Sequence, residues 1–385
     1  MTYDFDTIIP RRGSCSYKWD TPADDDTLPM WVADMDFQAA PEIRAALQRR
    51  LDHGIFGYSK VPQEYYDAAR AWYKRRHGWE FESEWIVYTT GVVPALSAII
   101  QALTEPGDKV LVQTPVYNCF FSCIRNNHCE VLENPLRYEN GRYDIDFEDL
   151  EVKASMPGVK LLLLCNPHNP SARVWTRDEL GRIAAICEKH GLTVVSDEIH
   201  GGIIAPGYTY TPYAALNEYT RLHSVTCVSP SKTFNIAGLQ AANIVCADEK
   251  VRTLIARSIN KHEVCDLNVF AIPAHIAAYN EGEPWLKALN AYLHENNMML
   301  RAFCREHLPE YPMPTLEATY LEWMDCSASG MDGDEVARRL LGQGLMVNPG
   351  SMYGEVGRRF IRINIACPRV QLLKGLKKML PVLAK

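Results

Sequence analysis

Between residues 86 and 247, short β-rich runs alternate with longer stretches whose apolar positions recur at helical spacing. This alternation limits the architecture more than any other feature of the chain. Candidate strands fall at 86–90, 109–113, 160–165, 192–196, 224–228 and 243–247. Several are continuous apolar runs rather than alternating ones, as expected of strands covered by helices on both faces. The stretch 178–190 is amphipathic and ends at Gly191, which stands where a helix C-cap belongs. A βαβ rhythm of this kind predicts a mainly parallel, doubly wound α/β sheet. From about residue 282 the pattern changes to a long helical stretch, followed by short strands near 321–325 and 360–364. The expected division is an N-terminal segment, 1–45, that joins a small α+β domain at 282–385, with a large domain over 46–281 between them.

Composition narrows the partners. A chain of 385 residues buries about three quarters of its unfolded surface, so it needs neither disulfides nor metals to fold. Its 12 cysteines are scattered; only Cys119, Cys123 and Cys129 cluster, at spacings that fit no common zinc pattern. Free thiols in a reducing cytoplasm are expected, with no metal. Forty Lys and Arg face 47 Asp and Glu, a net charge of −7, which offers no basic surplus for a phosphate backbone. The apolar run at 161–165 is far too short to span a bilayer, and the N-terminus lacks a secretory apolar core. A small-molecule substrate is therefore expected, with no nucleic acid and no membrane.

Four segments, each following a candidate strand, carry the chemistry. Ser229-Pro230-Ser231-Lys232-Thr233-Phe234 places a lysine among hydroxyls. Thr89-Thr90-Gly91-Val92-Val93 opens a helical stretch whose amides and dipole suit a phosphate. Asn166-Pro167-His168-Asn169-Pro170 and Asp197-Glu198-Ile199-His200 complete the set. In open α/β sheets, ligands bind beyond the carboxyl ends of strands, so the four segments converge on one crevice. Together they supply what pyridoxal phosphate (PLP) needs: an amine to bond it, an anion to keep its pyridine nitrogen protonated, and donors for its phosphate. Lys232 is the candidate Schiff-base lysine and general base, and Asp197 the partner of the ring nitrogen.

In the order and spacing of these motifs the sequence resembles the fold-type I PLP enzymes of the class I/II aminotransferase superfamily, over essentially its whole length. The resemblance implies that Asn166 and His200 hydrogen-bond the ring hydroxyl. It implies that Gly91, Val92 and Val93, with Ser229 and Ser231, hold the phosphate. Tyr117, in Thr114-Pro115-Val116-Tyr117, is implied as the aromatic face over the pyridine and a catalytic residue. Arg362, in Phe360-Ile361-Arg362-Ile363-Asn364, is implied as the clamp on the substrate carboxylate, with Asp34 and Asn166 beside the substrate. Tyr58, in Phe56-Gly57-Tyr58, resembles the tyrosine that reaches a neighbouring subunit's phosphate, which implies a homodimer with shared sites.

Two features point to a branch of that superfamily. The run Pro29-Met30-Trp31-Val32-Ala33-Asp34-Met35-Asp36-Phe37 is similar to the MalY/PatB-type cystathionine β-lyases and cysteine C–S lyases, as are Asn348-Pro349-Gly350 and Asn364-Ile365-Ala366-Cys367-Pro368-Arg369. Many aminotransferases carry an arginine eight residues after the Schiff-base lysine, where this chain has Gln240. The activity implied is α,β-elimination from L-cystathionine or a related L-cysteine thioether, giving a thiol, pyruvate and ammonia. The alternatives are an aminotransferase of the same fold, or a PLP-fold regulator with weak catalysis.

Overall fold

The computed structural model describes residues 3–261 and 266–384. Cys265 lies outside these residues; the other eleven cysteines are free thiols, nine of them buried. A seven-stranded sheet organises the larger part of the molecule. Its strands are β1 (Ile86–Thr89), β2 (Lys109–Val112), β3 (Glu130–Glu133), β4 (Val159–Cys165), β5 (Thr193–Asp197), β6 (Ser224–Val228) and β7 (Ala242–Val245), in spatial order β1-β7-β6-β5-β4-β2-β3. All neighbours run parallel except at β7, which is antiparallel to both β1 and β6.

The continuous apolar run of β4 turns out to be two interleaved faces. Leu161 and Leu163 pack with the helices Val92–Leu103, Cys119–Asn126 and Glu249–Asn260. Leu162 and Leu164 pack on the opposite side with the helices Phe147–Ala154 and Arg177–His190. The second of these begins at a capping box, Thr176 with Glu179, and ends at Gly191 with φ 67°, a left-handed cap that glycine adopts without strain. Sequence reasoning missed β3. It is an edge strand, and its sequence Glu-Val-Leu-Glu carries charge at both ends with only partial burial, so no apolar run announces it.

The remainder packs as a second layer around a separate core. The helices Pro41–His53, Gln63–His77, Ala271–Glu281 and Glu283–His307 contribute to it, as does the C-terminal helix Arg369–Leu383. A three-stranded antiparallel sheet, β8 (Leu321–Asp325), β9 (Asn348–Pro349) and β10 (Phe360–Asn364), has the order β8-β10-β9. Residues 28–36 form a strap along this region. Leu28–Pro29 pairs in parallel with Leu345–Met346. Asn364 N then donates to Met30 O at 2.9 Å, and Asp36 N to Ala366 O at 2.9 Å. The N-terminal segment is thus stitched by its backbone to residues more than 300 positions away. Among the described residues no helix is long and apolar enough to cross a membrane.

Candidate active site

The carboxyl ends of β1, β4, β5 and β6 lie on one side of the sheet, and a cavity of about 440 Å³ opens beside them. Its wall includes Gly91, Val92 and Val93 at the start of a helix, Tyr117, Asp197 and His200, Ser231 and Lys232, and Arg362. Residues from four separate strand ends and from the small sheet therefore meet in one place.

Asp197 is the last residue of β5 and is buried. Burial pushes its carboxyl up to about 6, opposed by the Ile199 amide and the Lys232 ammonium, so it remains mostly ionised at neutral pH. Lys232 sits in the short helix Pro230–Thr233, which Ser229 caps through the Ser231 amide. Its Nζ donates to Ala33 O at 2.8 Å. Burial lowers this amine to about 8, with Asp34 acting against the shift and Arg362 reinforcing it. A lysine so placed is much more often neutral than one in water. His200 is held down to about 3 by burial and by the cations of Lys232 and Arg362, so its imidazole is neutral. Burial also pushes the Tyr117 phenol well up, and its ring lines the cavity protonated.

The helix Val92–Leu103 points its N-terminus at the same space and has no side-chain cap. Its first amides, with the helix dipole, form an anion site of the phosphate-binding kind. At Gly91 a Cβ would lie 3.3 Å from Pro94 Cδ, a tight contact within the start of the helix.

Arg362 occupies the middle of β10, opposite Trp323 on β8 and Asn348 on β9. It is 3% exposed, with Nη1 donating to Asn169 Oδ1 at 3.1 Å and Nη2 to Trp31 O at 3.0 Å. Its guanidinium lies 4.9 Å over the Tyr353 ring, and its buried Nε has no partner. The strap supplies much of this order through its carbonyls. Trp31 O also accepts from Asn348 Nδ2 at 3.0 Å, and Ala33 O from the Tyr320 hydroxyl at 2.9 Å. Asn364 Nδ2 reaches Val32 O and Asp34 O at 2.6 and 2.8 Å. Asn235, three residues beyond Lys232, bonds Met35 N and the carbonyls of Met35 and Phe37.

Four expected residues stand outside the wall. Asn166 is fully buried behind it: Nδ2 donates to Glu198 Oε1 at 3.2 Å and to Thr211 O at 3.0 Å, and Oδ1 has no partner. The Ser229 hydroxyl is occupied with Ala241 O at 2.7 Å and with Ser231 Oγ. Asp34 lines a neighbouring cavity, where it pairs with Arg11, and acts on Lys232 through its charge. Tyr58 is fully exposed. Gln240 is exposed and not part of the wall. Sequence reasoning overlooked Trp31, Asn169, Asn348, Tyr320 and Tyr353 as site residues. Trp31 and Asn348 belong to runs already singled out, and Asn169 is the second asparagine of the Asn166-to-Pro170 turn; nothing local marks the two tyrosines.

Among the described residues, no group of three His, Cys, Asp or Glu is placed to hold a metal. The groups that do converge fit pyridoxal phosphate: an amine of lowered pKa, a buried anion, a helix N-terminus and an aromatic ring. Asn166 Oδ1 and His200 Nδ1 add two buried polar atoms without partners.

Comparison with known proteins agrees with that reading. The family model described as aminotransferase class I and II matches residues 27–379. The chain is 45% identical over 381 residues to the cystathionine β-lyase PatB of Bacillus subtilis (strain 168), covering 98% of each. It is 35% identical to the protein MalY of Escherichia coli (strain K12), covering 97% of each. Among solved structures, cystalysin from Treponema denticola, which contains a pyridoxal 5'-phosphate cofactor, matches with a TM-score of 0.97 at 35% identity, over 100% of this chain and 99% of that one. The PLP-bound C–S lyase from Staphylococcus hominis matches with a TM-score of 0.94 at 33% identity, over 100% and 99%. With the family model matched over residues 27–379 and relatives at 45% and 35% identity covered almost end to end, the chain belongs to the aminotransferase class I and II family.

Proposed function

We propose that this chain is a PLP-dependent carbon–sulfur β-lyase acting on L-cystathionine or a related L-cysteine thioether. The observation that carries the proposal is the convergence of Lys232, Asp197 and Arg362 on one cavity. The choice of elimination over amino transfer is supported by the relatives, since PatB is named a cystathionine β-lyase and the Staphylococcus hominis protein a C–S lyase.

Bound PLP supplies an electron sink for the pair left when the substrate Cα–H bond breaks. The protein does the rest by position. Arg362 takes the substrate carboxylate with donors its present partners leave unspent. Lys232, with its pKa lowered to about 8, receives the Cα proton at Nζ and returns a proton to the departing thiolate. Asp197 keeps a buried negative charge that would hold the ring nitrogen protonated. The Val92–Leu103 N-terminus and Ser231 would hold the phosphate, with Ser229 supporting that loop, and Tyr117 would cover the ring. Asn166 and His200, each with a buried polar atom that lacks a partner, would bond the ring hydroxyl, and Asp34 tunes the amine through its charge. The C–S bond breaks as the thiolate leaves, and the remaining carbon skeleton takes up water to give pyruvate and ammonia.

The active form in this reading is a homodimer. Tyr58 is fully exposed beside the exposed Ile55 and Phe56, an apolar loop suited to a second copy of the chain. The seven-stranded sheet within 46–281 holds the cofactor, and 282–385 with the segment 1–45 contributes Arg362 and the strap to the same cavity. The eleven free thiols among the described residues fit work in the reducing cytoplasm.

The test is to supply L-cystathionine, L-cysteine and S-alkyl-L-cysteines to the purified holoenzyme without a keto acid. Pyruvate and thiol are expected in equal amounts. No pyruvate, together with transamination once a keto acid is added, would replace the lyase by an aminotransferase.

A further inference from the structure

Glu198 follows Asp197 directly, yet none of the steps above uses it. It is 2% exposed, and its backbone amide bonds Cys227 O at 2.9 Å, which fixes it between β5 and β6. Its side chain collects four donors. Oε1 accepts from Asn166 Nδ2 at 3.2 Å, from Ser196 Oγ at 2.8 Å and from Tyr213 N at 2.8 Å. Oε2 accepts from the Tyr210 hydroxyl. Gly201 makes that last contact possible, since a Cβ there would fall 2.8 Å from Tyr210 Cε1.

The consequence falls on Asn166. An amide can present either its oxygen or its nitrogen in a given direction, and its own packing barely distinguishes the two. Here the choice is forced, because both acceptors on one side, Glu198 Oε1 and Thr211 O, demand the nitrogen. Oδ1 is left as the buried end without a partner.

We infer that Glu198 is a positioning residue that, together with the Thr211 carbonyl, fixes the orientation of the Asn166 amide, and thereby the polarity that Asn166 offers to the cofactor ring. This rests on the reading that Asn166 faces that ring. The essential property is an acceptor atom at the Oε1 position, not a negative charge. Burial agrees with this, since it raises the Glu198 carboxyl to about 7 despite its four donors, so a sizeable fraction is neutral near neutral pH.

The test is spectroscopic and uses the resting holoenzyme without substrate, reading the visible absorption band of the bound cofactor and its pH midpoint. Asn166→Ala is the reference variant and should move the midpoint. Glu198→Asp keeps the charge but withdraws it by about 1.5 Å, one carbon–carbon bond, beyond reach of Asn166. It should move the midpoint by about one unit, the scale of one lost hydrogen bond. Glu198→Gln keeps an acceptor at Oε1, while its amide faces a Tyr210 hydroxyl that can turn to accept. It should stay within about 0.3 unit of wild type. Ser196→Ala and Tyr210→Phe, which remove donors from the same carboxylate without touching Asn166, should also stay near wild type.

The inference is overturned if Glu198→Asp behaves as wild type while Asn166→Ala does not. It is equally overturned if the Gln, Ser196 and Tyr210 variants move as far as the Asp variant, because general loosening or charge would then be the cause. An unchanged spectrum in Asn166→Ala would instead remove the underlying reading of Asn166 and the inference with it.

Discussion

Replacing Arg362 with lysine isolates the geometry of carboxylate binding from its charge. A guanidinium carries five N–H donors in a planar fork. The structure spends one on Asn169 Oδ1 and one on Trp31 O, and leaves the buried Nε–H without a partner. Three of the five donors are therefore unspent, and a carboxylate in the cavity that Arg362 lines would be met by two parallel charge-assisted bonds. Lysine keeps the charge but offers a point contact, and it also gives up the stacking over Tyr353. Loss of one charge-assisted bond costs about 1.5–3 kcal/mol, or roughly 10–150-fold in kcat/KM. Alanine would be the poorer probe, since it strands Asn169 and Trp31 O in a buried site and invites misfolding. The assay compares kcat/KM for elimination from an S-alkyl-L-cysteine with the inhibition constant of its decarboxylated amine. The first should fall by that factor in Arg362→Lys, and the second should change by less than about threefold. Equal losses for both ligands would refute the clamp and make Arg362 a structural residue.

The other expectations are more direct. Lys232 must be uncharged to bond the cofactor, and burial lowers its pKa from 10.5 to about 8. Capture of PLP by the apoprotein should therefore accelerate as pH rises towards about 8 and level off above it, and borohydride should then fix a pyridoxyl group on this lysine. Acceleration only near pH 10.5, or labelling elsewhere, would contradict the assignment. For the shared site, mixing Lys232→Ala with an inactive Tyr58 variant should recover activity through one intact site per heterodimer. No recovery after verified subunit exchange would count against the dimer.

How far the sequence could be read depended on whether the signal was local. The Lys232 segment, the helix start at Gly91 and the end of β5 each combine a strand signal with a turn and a reactive residue, all within about ten positions. The central strands and the sheet's class followed from the same local periodicity. β3 did not, because an edge strand of four residues has little apolar content to display. Tyr320 and Tyr353 were invisible for another reason: they reach the site only after β8, β9 and β10 have assembled against residues 28–36. The run Pro29 to Phe37 was noticed as a resemblance, but no pattern within it says that its carbonyls serve Arg362 and Lys232. Glu198 lies inside the Asp197-to-His200 segment, yet nothing local marks it, because its part depends on the distant partners Tyr210 and Asn166.

The strap's contribution has a consequence for how this site tolerates change. Lys232, Tyr320, Asn348, Arg362 and Asn364 all address the carbonyls of residues 31–34 rather than their side chains. The segment works as a ruler, and a ruler is sensitive to length before it is sensitive to lettering. Many side-chain replacements there leave each carbonyl in place. Removing one residue between Met30 and Asp36 slides the following peptides by up to about 3.6 Å along the chain, which takes each carbonyl out of its place. Carbonyls would then stand where none is wanted, and five side chains from three regions of the chain would lose their bearings at a single stroke.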